Sequence, residues 1–151
     1  MVSRDRSRVG HFRSAAGEQA YLAAYRDVMN LLPTPRSTLD LETSFGHVRL
    51  YEFGAASADR AAMPVVLLPG RTSGVPMWAS NLPGLAAARI TYALDALGDA
   101  GLSVQIQPID DATDQADCWT RCYDRFIPAS PESRLRGVGS GRRRRLPGCP
   151  G

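Results

Sequence analysis

No lysine occurs in this sequence: all 18 basic residues are arginine. With alanine abundant as well, that usage points to a gene rich in G and C, a codon bias before it is a function. Cysteine is scarce and odd in number, at 3 residues. Residues 1–10 are charged and lack an apolar stretch, so neither a disulfide framework nor a secretory leader is expected. No run approaches the roughly 18 apolar residues of a membrane span. These absences predict a cytoplasmic protein with reduced thiols and no membrane partner.

The 151 residues are 44% hydrophobic and 22% charged. That fits one globular domain or part of a larger one, and it excludes a multidomain enzyme, a collagen, a coiled coil and a wholly disordered chain. Charge is unevenly spread. Residues 1–118 hold 10 Arg against 13 acids, while residues 119–151 hold 8 Arg against 2. Arg, Gly, Pro, Ser and Cys make up 22 of those last 33 residues. A stretch so poor in apolar side chains does not bury enough surface to offset its ordering entropy.

Periodicity organises the rest. Tyr21, Ala24, Tyr25, Val28, Leu31 and Leu32 recur at helical spacing and predict a helix over residues 16–32, ended by Pro33 and Pro35. Residues 38–45 and 47–53 alternate in character about Gly46, as a β-hairpin does, with Leu39, Leu41, Val48, Leu50 and Tyr51 as core contacts. Residues 64–68 form a continuous apolar run stopped by Pro69-Gly70, the pattern of a strand buried on both faces of a parallel sheet. A loop follows, then one or two helical turns over residues 78–89 broken at Pro83-Gly84. A second strand is predicted over residues 90–94, closed by Asp95 and the turn formers Gly98, Asp99 and Gly101. Strand, helix, strand is a βαβ unit.

Leu67-Leu68-Pro69-Gly70, Trp78, and the run from Tyr92 through Asp95 and Gly98 to Ser103 together resemble the first third of the α/β-hydrolase fold. The preceding helix and hairpin resemble the N-terminal portion of bacterial hydrolases of this type. Asp114 to Trp119 resembles the start of the helix before the nucleophile strand. The likeness covers about residues 12–119. It implies an α/β architecture: a partial α/β-hydrolase fold of N-terminal helix, β-hairpin and βαβ unit in a mixed sheet. It also implies that relatives are serine hydrolases of small esters, working through an acyl-enzyme. By position, the loop at Gly70 and Arg71 corresponds to half of the oxyanion hole, with the Arg71 N–H as donor. The plain alternative is a Pro-Gly turn ending a strand.

The sequence departs from the family twice. Pro69 stands where the family has His before that Gly. The G-x-S-x-G of the nucleophile elbow is also missing. Gly101-Leu102-Ser103-Val104-Gln105 lacks the closing Gly and falls where the family has a non-nucleophilic Ser. Gly139-Ser140-Gly141 has the wrong spacing. His11 precedes the first helix and His47 sits in the hairpin, so both read as surface or structural residues, not as the family's base. Asp95 reads as a cap of its turn, because the family's acid follows a later strand. No catalytic residue is therefore assigned. Resemblance and composition both change near Cys118, and the chain is expected to be truncated or frameshifted there, before the elbow, and inactive alone.

Other functions find less in the sequence. Arg134, Arg136 and Arg142 to Arg145 form a basic run suited to weak, salt-sensitive nucleic-acid binding, without an RNP, KH or zinc-finger signature. Cys118-x3-Cys122, with Cys149, falls within loose zinc spacing but finds no fourth ligand, and incidental thiols are the expectation. Gly70 to Gly74 follows a strand as phosphate loops do, yet lacks both nucleotide-binding glycine patterns. No metal or cofactor is expected. The reading is a flexible N-terminus at residues 1–11, the partial hydrolase domain at 12–118, and a disordered basic tail at 119–151. Because the family's strand order runs 1-2-4-3-5, the third strand becomes an open edge prone to self-association. A small-molecule ester is a partner only where a complete site forms. The alternative function is a non-catalytic interaction module using the open edge or the tail.

Overall fold

The computed structural model describes residues 9–59 and 62–126. Its elements are helix α1 (Ala15–Met29), strands β1 (Ser37–Thr43), β2 (Gly46–Phe53) and β3 (Val65–Leu67), a 3₁₀ turn at Val75–Trp78, helix α2 (Leu82–Ala88), strands β4 (Thr91–Leu94) and β5 (Val104–Gln105), and helix α3 (Ala112–Phe126). The predicted basic run and the metal candidate Cys149 lie outside the described residues.

Ser14 starts α1 by accepting a hydrogen bond from the Gly17 N–H through its side chain, satisfying one of the helix's orphan donors. The hairpin forms about Gly46, whose φ of 142° suits glycine alone. A Cβ at Gly46 would also lie 2.1 Å from the Val104 carbonyl oxygen. That approach lets β5 pair antiparallel with the start of β2. The principal sheet order is β1-β2-β4-β3, antiparallel except for the parallel β3–β4 pair. This mixed sheet with a βαβ unit is the expected partial architecture. Among the described residues, β3 has a strand on one side only.

Alternation along the strands sorts side chains to two faces. One face gathers Tyr51, Phe53, Leu67 and Ala93 with Leu32, Val75, Leu82 and Ala86 from the helical segments. The other gathers Val48, Leu50 and Leu94 with Cys118 and Cys122 of α3.

Several expectations need correction. Leu39 is 39% exposed, because β1 is the outermost strand and the side chain has no covering layer. Val65 and Val66 are half-buried and Leu68 is exposed, so β3 is not buried on both faces. Pro83 falls in the first turn of α2, where its missing N–H costs nothing, and it opens that helix instead of breaking one. Helix α3 crosses Cys118, where composition changes, and continues to Phe126. No helix among the described residues is long and apolar enough to cross a membrane.

Candidate functional site

The carboxyl ends of β3 and β4 point their loops to the same end of the sheet, and Asp95 holds those loops together. It follows β4 directly and is wholly buried. Its Oδ1 accepts the Val75 N–H at 2.8 Å, at the start of the 3₁₀ turn. Its Oδ2 accepts the Leu102 N–H at 2.7 Å and the Tyr25 hydroxyl at 2.8 Å. The Tyr25 hydroxyl also lies 3.2 Å from that of Tyr51. One carboxyl group thus ties α1, the loop after β3 and the loop after β4.

The packing around that carboxyl requires two glycines. A Cβ on Gly74 would stand 2.6 Å from Asp95 Oδ1, and one on Gly101 would stand 2.5 Å from Asp95 Cβ and Cγ. Burial pushes the Asp95 carboxyl above its ordinary range, against the opposing effect of its three donors. The same enclosure, with the Asp95 charge beside it, raises the Tyr25 hydroxyl, and Tyr21 is pushed up to about 12. Asp95 therefore does more than cap its own turn: two of its three partners come from distant segments.

The loop after β3 is shaped by further contacts. The Gly70 N–H donates to Met77 Sδ at 3.2 Å, and Ser73 Oγ donates to the Gly70 carbonyl at 2.7 Å. Thr72 adopts φ of 60°, sparsely populated for a β-branched residue, and its N–H donates to Asp99 Oδ1 at 3.0 Å. Arg71, between them, is exposed and lines an open cleft of about 680 Å³ with His11, Asp99, Gln105 and Asp110. Gly70 is exposed at the start of the same loop, and a Cβ there would meet only ordinary contacts. The structure thus puts Gly70 and Arg71 at the sheet's carboxyl end.

The remaining sequence candidates take structural positions. Ser103 Oγ donates to the Asp95 carbonyl at 2.7 Å and accepts the Arg49 N–H at 2.8 Å, which ties it to the scaffold. His11 Nδ1 lies 2.9 Å from the Val9 carbonyl, and His47 Nδ1 lies 3.9 Å from Glu42. Neither contact joins a histidine to a serine. Among the described residues, no three His, Cys, Asp or Glu side chains gather as a metal site. Sequence reasoning undervalued His11 and Gln105 as neighbours of Arg71. Only the fold carries residues 9–12 across, where the Gly10 N–H donates to Gln105 Oε1 at 3.0 Å.

A mixed sheet in this order, with loops converging past β3 and β4, is the α/β-hydrolase fold in part. The chain has relatives among bacterial carboxylesterases and hydrolases of that fold. It is 28% identical over 104 residues to the uncharacterized carboxylesterase nap of Bacillus subtilis, a match covering 69% of this chain and 33% of that protein. The crystal structure of naproxen esterase from Bacillus subtilis superposes with a TM-score of 0.64 at 26% identity, over 77% of this chain and 39% of the esterase. A further Bacillus subtilis hydrolase structure gives a TM-score of 0.61 at 27% identity, over 74% and 38%. The chain therefore spans little more than a third of the length of these relatives. No protein-family model matches it.

Proposed function

We propose that this chain is the N-terminal part of a serine hydrolase of carboxylic esters, contributing half of an oxyanion hole and no nucleophile. The observation that carries the reading is the loop from Gly70 to Val75, held at the carboxyl end of β3 by Asp95 and Asp99. Backbone donors fixed before reaction stabilise a developing alkoxide without reorganisation, which is the larger part of such catalysis. The Arg71 N–H is the proposed donor, with the small-molecule ester in the cleft that Arg71 and His11 line. The carboxylesterase relatives support the substrate class.

Neither His11 nor His47 bonds a serine, and the sequence holds no G-x-S-x-G. A serine without an oriented base is a weak nucleophile. The chain alone is accordingly inactive, and the ester is turned over only where a complete site forms. Purified protein is tested with a short-chain aryl ester and a serine-directed fluorophosphonate. The expected result is neither turnover nor labelling. Turnover abolished by the probe, with the label on one serine, would overturn the reading.

One observation favours a second function, a non-catalytic module that self-associates. The outer edge of β3 is unpaired among the described residues, and Met63 and Leu68 beside it are 77% and 49% exposed. Open apolar edges template strand pairing. Sedimentation across a concentration series checks it: a monomer at every concentration removes this reading.

A further inference from the structure

Met29, Met63 and Met77 are the methionines among the described residues, and their sulfurs have different tasks. Met29 packs against the core, and Met63 is 77% exposed. Met77, in the 3₁₀ turn after β3, is 47% exposed, yet its sulfur holds the loop before it. Sδ accepts the Gly70 N–H at 3.2 Å, and Ser73 Oγ stands 3.1 Å from the same atom.

A thioether is a weak acceptor, so this fastening is light. Ser73 has one hydroxyl proton, placed between the sulfur and the Gly70 carbonyl 2.7 Å away. The Thr72 N–H is tied to Asp99. Together these contacts hold Thr72 at φ of 60°, a conformation that persists in a β-branched residue only while its surroundings enforce it.

Oxidation at the sulfur works against that fastening. The sulfur attacks one oxygen of a hydroperoxide, an S–O bond forms and the O–O bond breaks. The departing oxygen takes the proton of the transferred one and leaves as water or an alcohol. Sulfur is oxidised by two electrons and the peroxide is reduced by two, giving the sulfoxide. An N–H···O bond spans about 2.7–3.2 Å by itself. The 3.2 Å between Gly70 N and Sδ therefore leaves no room for an oxygen between them. On the Ser73 side, the new oxygen captures the hydroxyl proton that ties the Gly70 carbonyl. Either way Gly70 loses a tie.

We propose that Met77 is an oxidation site through which a hydroperoxide releases the loop from Gly70 to Gly74. Reduction by a methionine sulfoxide reductase restores it: the S–O bond breaks, the oxygen leaves as water, and a dithiol becomes a disulfide. The released loop carries the Arg71 N–H, so the same event withdraws the proposed oxyanion donor.

The test treats the full chain with graded hydrogen peroxide, maps oxidised residues by peptide mass spectrometry, and reads hydrogen exchange over residues 70–74. Met63 is expected to oxidise first, Met77 next and Met29 last. In step with the Met77 sulfoxide, exchange over residues 70–74 rises about three- to tenfold, the range for loss of one ordinary hydrogen bond. Exchange in β1 and β2 is unchanged, and reductase treatment reverses the rise. Met63→Leu keeps the response. Met77→Leu, with no sulfur to accept or oxidise, exchanges fast from the start and ignores peroxide. Four results overturn the proposal: exchange that stays constant or slows as Met77 oxidises, a response surviving in Met77→Leu, faster exchange throughout the sheet, or Met77 still reduced when Met29 has reacted. Exchange is read directly, so the outcome does not depend on ester turnover.

Discussion

The two faces of the sheet are closed by different means. One is covered by α1, the 3₁₀ turn and α2, and Asp95 with its donors ties α1 and the 3₁₀ turn to the end of β4. The other, among the described residues, rests on α3 alone, whose contribution to the cluster is two thiols and part of Trp119. Buried polar groups fix one geometry because each donor left without its acceptor is costly. Small, soft side chains fill space without dictating orientation. The first face should therefore be rigid and intolerant, the second adaptable.

Asp95→Asn is the strongest way to break that contrast. An amide nitrogen then confronts a buried N–H or hydroxyl donor, and the cost is about 2–4 kcal/mol in urea unfolding. Cys122→Ala on the other face should cost less than half as much. Equal losses would mean that the carboxyl network is no more demanding than simple packing.

Titration sharpens the comparison, because Asp95 on one side and Cys118 on the other respond to pH with opposite sign. Asp95 is harder to ionise folded than unfolded, so its contribution is full below the ordinary carboxylate value near 4 and is lost as pH rises through the raised value. Cys118 is easier to ionise folded, at about 7 against an ordinary 9, so its contribution is present above 9 and is lost as pH falls through 7. Unfolding free energies of the wild type and Asp95→Asn should converge as pH rises from 4. Those of the wild type and Cys118→Ser should diverge from pH 7 to 9.

A smaller effect is expected within the rigid face, which carries one defect. Trp78 Nε1 is buried without a hydrogen-bond partner among the described residues. Trp78→Phe removes that donor, offsetting most of the lost ring contact, and should shift stability by no more than about 1 kcal/mol. A loss of several kcal/mol would mean that the indole nitrogen has a partner in solution. Smallest is Arg49→Ala, which deletes the ion pair with Asp40 at an exposed position and should cost under about 1 kcal/mol.

What was legible in the sequence follows the same division. β2, β3 and β4 could be read because apolar runs and alternation are local signals, and α1 because its stripe repeats over several turns. β5 could not, being two residues long and defined by its partner Gly46. The loop at Gly70 and Arg71 was located through likeness to a family, and its neighbours were not. The importance of Asp95 was hidden because Tyr25, its hydroxyl donor, is 70 residues away in sequence. Leu39 was misjudged because alternation says which side chains share a face, not whether anything covers it.

That separation between Tyr25 and Asp95 bears on the order in which the chain assembles. Closing so long a loop costs entropy that local contacts cannot return, so α1 gains its buried anchor only after β4 has joined the sheet. During synthesis, α1 leaves the ribosome before the fourth strand and must wait for it. Until Asp95 arrives, α1 is a marginal helix of 15 residues, dependent on its own turns and its serine cap.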